Sequence, residues 1–330
     1  MKIKTSNLAF VMTPIVFLIV VIGCTIPPGT DNVKISTSFI DCNPSGFPLH
    51  VAVENGYFAE ENIDVNVAQN IIHGKNGVEI PADADVIMLG RSPFYQSEAI
   101  HPNSFKAFNF NVQDKTKWND AILVKKDSDI TSLNQLIGKT IGITTGIRAN
   151  NYDLPHSSRI QGVIMMLKKN GLDPEDFKIV RADEHDFENN NIDALEIREP
   201  GLSMLLDSGA YRVLVGGPIF AENIFTPWPM SISAISSEFL KENPKDAKKI
   251  VQIWDKAIDF IGENPDEADK ILQRCMEKNY GLKDIKIRQI NYWKNDELDK
   301  DLIQKQLDFY HTLEIVKVQL KVDDIVLQTS

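Results

Sequence analysis

The sequence predicts an α/β protein in which short strands alternate with helices along most of the chain. From Val33 onward, runs rich in Val and Ile alternate with helical stretches bounded by Pro, Asn and Gly. The composition, 43% hydrophobic and 25% charged, is that of an ordinary globular protein. A length of 330 residues exceeds what one hydrophobic core usually serves, which indicates about two domains. We therefore expect a mostly parallel sheet arrangement and a helical C-terminal third.

The predicted strands are short runs of β-branched and apolar residues. In chain order they are Val33–Phe39, Ile63–Val67, Val86–Leu89, Ala121–Val124, Thr140–Ile143, Phe177–Val180 and Arg212–Val215. The sequence shows no internal repeat.

The predicted helices begin at Pro, Ser or Asn and end near Gly or another Pro. They are Pro48–Asn55 ended by Gly56, a helix capped by Ser92 and Pro93 that runs toward Ile100, the short Ser132–Leu136, Arg159–Lys169, and C-terminal helices near Glu267–Lys278 and Glu297–Leu313. One further helix face is marked by apolar residues at helical spacing, and we interpret this face as core packing. Its residues are Ala247, Ile250, Val251, Trp254, Ile258 and Ile261.

The N-terminal residues have the pattern of an export signal. Lys2 and Lys4 precede the uncharged run Leu8–Ile22, which is shorter than the roughly 20 apolar residues of a membrane span and typical of a signal peptide. The sequence Val21-Ile22-Gly23-Cys24 resembles the prokaryotic lipobox, in which cleavage leaves Cys24 as a lipid-modified N-terminus. The alternative is an ordinary buried cysteine. We expect a signal peptide at residues 1–23, a lipidated tether at 24–32, and a cell-membrane location facing the periplasm or exterior.

Several classes of protein are disfavoured by composition. The net charge of −11 argues against nucleic-acid binding, which depends on a basic surface. The six histidines are scattered without metal-ligand spacing, so we expect neither a metal nor a cofactor. A disulfide between Cys42 and Cys275 is possible but not indicated.

Five groups of residues, in order, match the motifs of one family. They are Pro48–Phe58 with Glu60–Val65; Val124–Ile130 with Leu133 and Leu136–Gly142; Asp193-Ala194 with Glu199-Pro200; Glu242–Pro244; and Glu263–Ala268. This order resembles the substrate-binding proteins of ABC importers, within them the NMT1/THI5-like nitrate, taurine and aliphatic-sulfonate group. The resemblance spans nearly all of the mature chain.

The resemblance implies a two-lobed periplasmic-binding-protein type II fold with a ligand cleft between the lobes. Two crossing segments are expected near Trp118–Lys126 and Pro227–Ser236. The implied division is residues 33–122 for the first part of lobe 1, 123–232 for lobe 2, and 233–330 for the return to lobe 1.

Candidate ligand-binding residues lie in the loops that follow strands, because ligands of open α/β sheets bind beyond the carboxyl ends of the strands. They are Asp41, Asn43, Ser45, Phe47, Gly90, Arg91, Ser92, Thr145, Gly146, Arg148, Arg198 and Glu199, with Trp228 at the second crossing. Residues 149–156 look like an insertion relative to the family, so the residue-level correspondence there stays open.

Three of these candidates are arginines on loops that should converge, namely Arg91, Arg148 and Arg198. A guanidinium group offers a planar fork that suits sulfonate, carboxylate or phosphate oxygens. The alternative is that they are surface residues or partners of Glu196, Glu199 and Asp41. Trp228 is a candidate for stacking on a planar ligand, or otherwise packs at the hinge.

The function indicated is that of a monomeric binding protein that captures a small, anionic, sulfonate-, nitrate- or taurine-like solute. It would deliver this solute to an ABC permease and its ATPase without chemistry. One alternative is a surface sensor or interaction lipoprotein. The other is an enzyme of the pyrimidine-precursor or menaquinone-pathway type, although the chain lacks the cysteine-rich run of such synthases and shows no nucleophile–base pair.

Overall fold

The computed structural model describes residues 32–38, 43–74, 77–144, 158–214, 219, 224–284 and 286–328. Within these residues the strands are β1 (Val33–Thr37), β2 (Val65–Ala68), β3 (Ile72–Gly74), β4 (Gly77–Glu79), β5 (Val86–Gly90), β6 (Phe105–Gln113), β7 (Asp120–Lys125), β8 (Thr140–Ile143), β9 (Lys178–Arg181), β10 (Ala194–Arg198), β11 (Tyr211–Val213), β12 (Trp228–Ser236) and β13 (Asn291–Trp293).

The α-helices in the same residues are α1 (Phe47–Glu54), α2 (Tyr57–Glu60), α3 (Arg91–Ile100), α4 (Ser158–Lys169), α5 (Glu184–Glu188), α6 (Gly201–Asp207), α7 (Ser237–Glu242), α8 (Pro244–Glu263), α9 (Pro265–Tyr280), α10 (Lys300–Thr312) and α11 (Val322–Ile325). Short 3-10 turns occupy Pro44–Gly46, Leu133–Leu136, Pro174–Asp176 and Asn295–Glu297.

The strands form two main sheets. One is six-stranded in the order β13-β6-β12-β5-β1-β2, and the other is five-stranded in the order β11-β7-β10-β8-β9. Strands β3 and β4 make a separate hairpin. The expectation of a mostly parallel sheet is wrong: parallel pairs join β1 to β2 and β5, and β8 to β9 and β10, while all other pairs in the two sheets are antiparallel. The antiparallel pairs all involve β6, β7 or β12, which flank the passages of the chain between sheets.

The chain passes from one sheet to the other twice. β6 of the six-stranded sheet ends at Gln113 and β7 of the five-stranded sheet begins at Asp120. The return lies between Val213 and Trp228. Each passage begins before the expected crossing segment and overlaps only its first residues, because β7 and β12 are buried and hydrogen-bonded within their sheets along most of their length. The lobe boundaries themselves stay a prediction.

Strands β6, β10 and β12 were not anticipated from the sequence. In β6, Phe and Asn alternate, yet the strand is buried on both faces because its asparagines find partners inside the protein. Asn109 Nδ2 donates to the carbonyl of Trp293 at 2.8 Å, and Asn111 Nδ2 donates to Ser231 Oγ at 2.6 Å. Because β6 has asparagines at buried positions, its sequence did not predict a strand inside the sheet.

The start of α3 also differs from the expectation. Gly90 stands at the N-cap, and Ser92 lies within the first turn. Pro93 is compatible with this position, since the first turn does not need its missing N–H. The hydroxyl of Ser92 is used elsewhere, as described below.

The C-terminal helices pack beneath the six-stranded sheet. The apolar stripe predicted for one helix lies on α8, and its core role is confirmed: Trp254 is fully buried and its ring contacts Phe58 and Phe108 edge-on. A separate cluster around Phe187 packs against the five-stranded sheet. A third hydrophobic cluster contains residues of both main sheets, such as Leu89 and Ile122.

Cys275 on α9 is disulfide-bonded. The other two cysteines of the sequence, Cys24 and Cys42, lie outside the described residues. Across the part of the chain that the structure describes, no helix combines the length and apolar character needed to cross a membrane.

Candidate functional site

Three arginines approach one another from three elements. Arg91 is the first residue of α3, directly after β5 of the six-stranded sheet. Arg198 is the last residue of β10 in the five-stranded sheet. Arg159 lies in the first turn of α4, which follows β8 of the same sheet. The convergence therefore involves residues that follow or end strands of both sheets.

Arg91 is almost completely buried, with 1% of its surface exposed. Its Nη1 donates to the carbonyl oxygen of Met230 at 3.2 Å. Its guanidinium carbon lies 5.1 Å from the ring centre of Trp228 and 5.9 Å from that of Tyr310. Burial lowers the pKa of Arg91, but arginine stays protonated in proteins. The guanidinium group of Arg91 is therefore a permanent positive charge that is buried beside two aromatic rings.

Glu196 on β10 lies between the other two arginines. Its Oε2 is 3.6 Å from Arg159 Nη1, and its Oε1 is 3.5 Å from Arg198 Nε. The side chain of Glu196 is 1% exposed, whereas those of Arg159 and Arg198 are 19% and 17% exposed. Arg159 Nη1 also donates to the carbonyl and hydroxyl oxygens of Thr144 at the end of β8. The carboxylate therefore positions both arginines while they keep a path to solvent.

Asp120, the first residue of β7, is the second buried carboxyl group. It pairs in register with Arg198 of β10, and its Oδ1 accepts a hydrogen bond from the backbone N–H of Ile219 at 3.3 Å. Burial raises the pKa of Asp120 to about 6; Arg198 and Arg91 oppose this rise, and Glu196 adds to it. Asp120 therefore lies close to Arg91, Glu196 and Arg198.

We call Arg91, Asp120, Arg159, Glu196 and Arg198 the arginine–carboxylate cluster. It brings charged groups from both sheets into one largely buried region. Guanidinium groups recognise the oxygens of anions with paired, charge-assisted hydrogen bonds. This arrangement is suited to binding an anion, and it needs no nucleophile or general base to do so.

A hydrogen bond next to the cluster joins helices that follow strands of different sheets. Ser92 Oγ on α3 donates to Gln161 Oε1 on α4 at 2.5 Å, and both side chains are buried. Gln161 is one helical turn from the start of α4 and close in sequence to Arg159. The site residues of the two helices are thus linked directly.

The candidates after β1 have local structural roles. Asn43 Oδ1 accepts from the backbone N–H of Ser45 at 2.8 Å and so caps the turn that leads into α1. The carbonyl of Ser45 accepts from Asn111 Nδ2 at 2.6 Å. The ring of Phe47 is fully buried in the core under the six-stranded sheet, and Gly90 caps α3. A ligand contact by any of these residues stays a prediction.

Glu199 lies just beyond Arg198 but has other partners. Its Oε1 accepts from Ser203 Oγ at 2.8 Å and from the backbone N–H of Arg288 at 3.3 Å. Arg288 in turn lies over the ring of Trp118 at 5.0 Å. Burial raises the pKa of Glu199 to about 7. These contacts give Glu199 a role in joining the segment before β13 to α6.

Trp228 is fully buried and packs against Phe225, Phe309 and Tyr310. This favours the alternative in which Trp228 packs in the protein interior, with its indole ring against the guanidinium group of Arg91. Stacking of Trp228 on a ligand stays a prediction.

Several predicted residues lie outside the described residues: Cys24, Asp41, Thr145, Gly146, Arg148 and the insertion at 149–156. Conversely, sequence reasoning did not select Arg159 and Asp120. Both are charged residues at the boundary of an apolar element, which is the available signal. Glu196 was considered only as a partner for the arginines and placed in a loop, whereas it lies within β10. Within the described residues, no group of His, Cys, Asp and Glu is arranged to hold a metal ion.

The two main sheets and the helices around them have the two-lobed periplasmic-binding-protein type II fold. Residues 116–268 match the family model described as NMT1/THI5 like.

Similar proteins match nearly the whole chain. A protein of Bacillus subtilis (strain 168) that is named for binding aliphatic sulfonates is 24% identical over 97% of this chain and 94% of its own. The periplasmic aliphatic sulphonate binding protein SsuA from Escherichia coli is similar in structure, with a TM-score of 0.64 and 14% identity over 90% of this chain and 98% of that one. DszB in complex with biphenyl-2-sulfinic acid has a TM-score of 0.62 and 16% identity over 89% of this chain and 95% of that one. DszB is a desulfurization enzyme, so the same fold also serves catalysis.

Proposed function

We propose that this protein is the solute-binding component of an ABC importer and holds a small anion with a sulfonate-like head group. The observation that carries the proposal is the convergence of Arg91 with Arg159 and Arg198 from the two sheets. Three guanidinium groups in a largely buried region attract an oxyanion strongly. The names of the Bacillus subtilis relative and of SsuA, which both refer to aliphatic sulfonates, support this ligand class.

Capture would work by closing the two lobes around the ligand. An anion held by Arg91 on one side and by Arg159 and Arg198 on the other makes all its contacts only when the lobes are together. Ligand binding therefore shifts the population toward the closed form. The hydrogen bond between Ser92 and Gln161 adds to the stability of that form. An ABC permease and its ATPase would recognise the closed shape and take up the solute.

We infer binding without turnover, although DszB shows that enzymes share the fold. The arginine–carboxylate cluster can hold an anion but contains no thiol, hydroxyl or imidazole nucleophile. Incubation of the protein with an alkanesulfonate, followed by mass spectrometry of the released compound, should return it unchanged. Recovery of sulfite or another cleavage product would instead support a desulfurizing enzyme.

The binding proposal is tested by replacing the two arginines that keep some contact with solvent. Either Arg159→Ala or Arg198→Ala removes charge-assisted hydrogen bonds worth roughly 1.5 to 3 kcal/mol each, so affinity for an alkanesulfonate should fall about tenfold to a hundredfold. Arg181→Ala is the matched control, because Arg181 is an exposed arginine on β9 of the same sheet. Calorimetric titration that finds equal affinities in all these variants would contradict the proposed site.

The sequence-based prediction for Arg148 belongs to the same series. Arg148→Ala should weaken binding by a similar factor if this arginine also contacts the anion, and circular dichroism should show an unchanged fold. Wild-type affinity would remove Arg148 from the site without affecting the role of the cluster.

We further propose that the mature protein is a monomer anchored by lipid on Cys24, outside the cell membrane. A single acyl chain binds membranes weakly and two chains bind firmly, so removing the modified thiol should abolish retention. Cys24→Ser is expected to move the protein from the membrane fraction to the periplasm or medium. Unchanged membrane retention of the variant would contradict lipid anchoring.

A further inference from the structure

Arg288 connects the two main sheets through contacts that lie outside the arginine–carboxylate cluster. Its Nη1 donates to Ser203 Oγ at 3.1 Å, and its backbone N–H donates to Glu199 Oε1 at 3.3 Å. Its Nη1 is also 3.9 Å from Glu199 Oε1, and its guanidinium carbon lies 5.0 Å from the ring centre of Trp118. We call Arg288, Glu199, Ser203 and Trp118 the Arg288 bridge.

The segment that carries Arg288 is fixed to the six-stranded sheet and its helices. Ile287 and Ile290, on either side of Arg288, are buried in the hydrophobic cluster under this sheet. Gln289 Nε2 donates to Asp269 Oδ1 on α9 at 3.1 Å. β13 follows directly along the chain and pairs with β6. Arg288 must therefore move together with the six-stranded sheet.

The partners of Arg288 are fixed to the five-stranded sheet. Glu199 follows Arg198, the last residue of β10, and its backbone N–H donates to the carbonyl oxygen of Asn119 at 3.0 Å. Ser203 lies within α6, and both its N–H and its hydroxyl donate to the Glu199 carboxylate. Glu199 is 3% exposed and Ser203 is fully buried. The bridge thus ends one residue from an arginine of the candidate site.

These contacts cannot survive a large movement of one sheet relative to the other. A hydrogen bond is lost when its donor and acceptor separate by about 1 Å, and buried neighbours hold both ends of the bridge. Resting on the proposed function, we propose that the Arg288 bridge stabilises the closed arrangement of the two lobes, so that Arg288 is a positioning residue that raises anion affinity without contacting the anion. Breaking the bridge lowers the fraction of protein that is competent to bind.

The first test measures affinity for butanesulfonate by calorimetric titration. Arg288→Ala should weaken binding about fivefold to tenfold, the size expected for the loss of one hydrogen bond and one partly exposed ion pair. Arg288→Lys keeps the positive charge but loses the planar fork, so its affinity should lie between those of wild type and Arg288→Ala. The control is Arg274→Ala, which should bind like wild type. Arg274 pairs with Glu54 at 2.8 Å between α9 and α1, and both helices pack under the six-stranded sheet.

The dependence on pH distinguishes the bridge from a general loss of stability. Glu199 is faced by the hydroxyl and N–H of Ser203 on α6 and by the N–H and guanidinium group of Arg288. Burial raises the pKa of Glu199 to about 7, and Arg288 opposes this rise. The ion pair is therefore present above about pH 7 and lost as the pH falls through this pKa. The ratio of wild-type to Arg288→Ala affinity should be larger near pH 8 than near pH 6, and in a Glu199→Gln background it should not depend on pH.

A second measurement needs no ligand. Small-angle X-ray scattering of the ligand-free protein gives the radius of gyration, which rises as the lobes separate. Arg288→Ala should have a larger radius of gyration than wild type, and Arg274→Ala should not. Circular dichroism verifies that both variants are folded. Because no anion takes part, this result does not depend on which anion the site binds.

The outcomes separate the two proposals. Weaker, pH-dependent binding by Arg288→Ala alone supports the bridge. If wild type and Arg288→Ala bind butanesulfonate equally, or if Arg274→Ala loses as much affinity, the bridge is overturned while the proposed function stands. If butanesulfonate does not bind to the wild-type protein at millimolar concentrations, the proposed sulfonate-binding function is overturned. The scattering comparison then decides the bridge by itself: a larger radius of gyration in Arg288→Ala supports it, and an unchanged one overturns it.

Discussion

Glu98 makes the stability of this protein depend on pH in a way that one substitution should reveal. The side chain lies near the end of α3 and is 1% exposed. Its Oε1 accepts from the backbone N–H of Phe105 at 2.9 Å, while Oε2 is buried with no hydrogen-bond partner among the described residues. Burial raises the pKa of Glu98 from its ordinary 4.5 to about 7, against the opposing effect of backbone N–H groups and Lys106. The folded protein thus favours the neutral form.

The direction of the effect follows from proton binding. Between pH 4.5 and about 7 the folded state holds a proton on Glu98 that the unfolded state has lost, so the free energy of unfolding falls as the pH rises through this window. At about 1.4 kcal/mol per pKa unit, the loss is about 3 kcal/mol by pH 8. Glu98→Gln stays neutral at every pH, so it should unfold like wild type near pH 5 and be more stable by up to about 3 kcal/mol near pH 8.

Urea denaturation of wild type and Glu98→Gln at pH 5 and pH 8 measures how the difference between their free energies of unfolding changes with pH. The exposed Glu263→Gln is the control and should differ from wild type by the same amount at both pH values. The other carboxyl groups with raised pKa values, Asp120, Glu199 and the partly buried Asp255, change the stability of wild type and variant equally and cancel. A Glu98→Gln effect that is equal at pH 5 and pH 8 would refute the assignment of a buried, titrating carboxyl group.

Two further predictions concern packing and closure. A side chain at Gly142 would place its Cβ 2.3 Å from Ile192 Cδ1, so Gly142→Ala should lower the free energy of unfolding by about 1 to 3 kcal/mol. The control is Gly262→Ala in α8, where the added Cβ meets no atom within 4 Å. This change should raise the free energy of unfolding by up to about 1 kcal/mol. Ser92→Ala removes the hydrogen bond to Gln161 and should weaken alkanesulfonate binding about tenfold in calorimetry. The thermal unfolding of the free protein should change little. Unchanged affinity would mean that this hydrogen bond does not stabilise the closed form.

Local patterns determined most of the secondary structure. Thr140–Ile143 forms a strand as predicted, because a short apolar run between Lys139 and the polar residues after it has no helical alternative of sufficient length. α1 ends at Glu54, within one residue of the predicted end, and Gly56 follows in a left-handed conformation with φ of 74° that glycine tolerates. Such features depend on neighbours in sequence, so the sequence alone contains them.

The position of Arg91 and Arg198 near one another was also predicted, but the rest of the site was not. Both arginines follow or end strands, and the ends of strands converge in any α/β fold. The partners that set the charge of the site, Asp120, Arg159 and Glu196, lie on separate elements that only the pairing of β7 with β10 and the placement of α4 bring together. Nothing local to each residue distinguishes it from an ordinary surface charge.

Burial was likewise decided by tertiary structure. Sequence pattern placed Glu196 in a loop and missed β6 and β12. In both missed strands apolar residues alternate with asparagine or serine, yet both faces are buried because these polar side chains reach partners across the sheet. The identity and order of the elements came from the chain itself, since propensity and turn chemistry act over a few residues. The charge and burial of the site arise only when distant carboxylates and arginines share one desolvated region, since electrostatic energy depends on distance and solvation and not on separation along the chain.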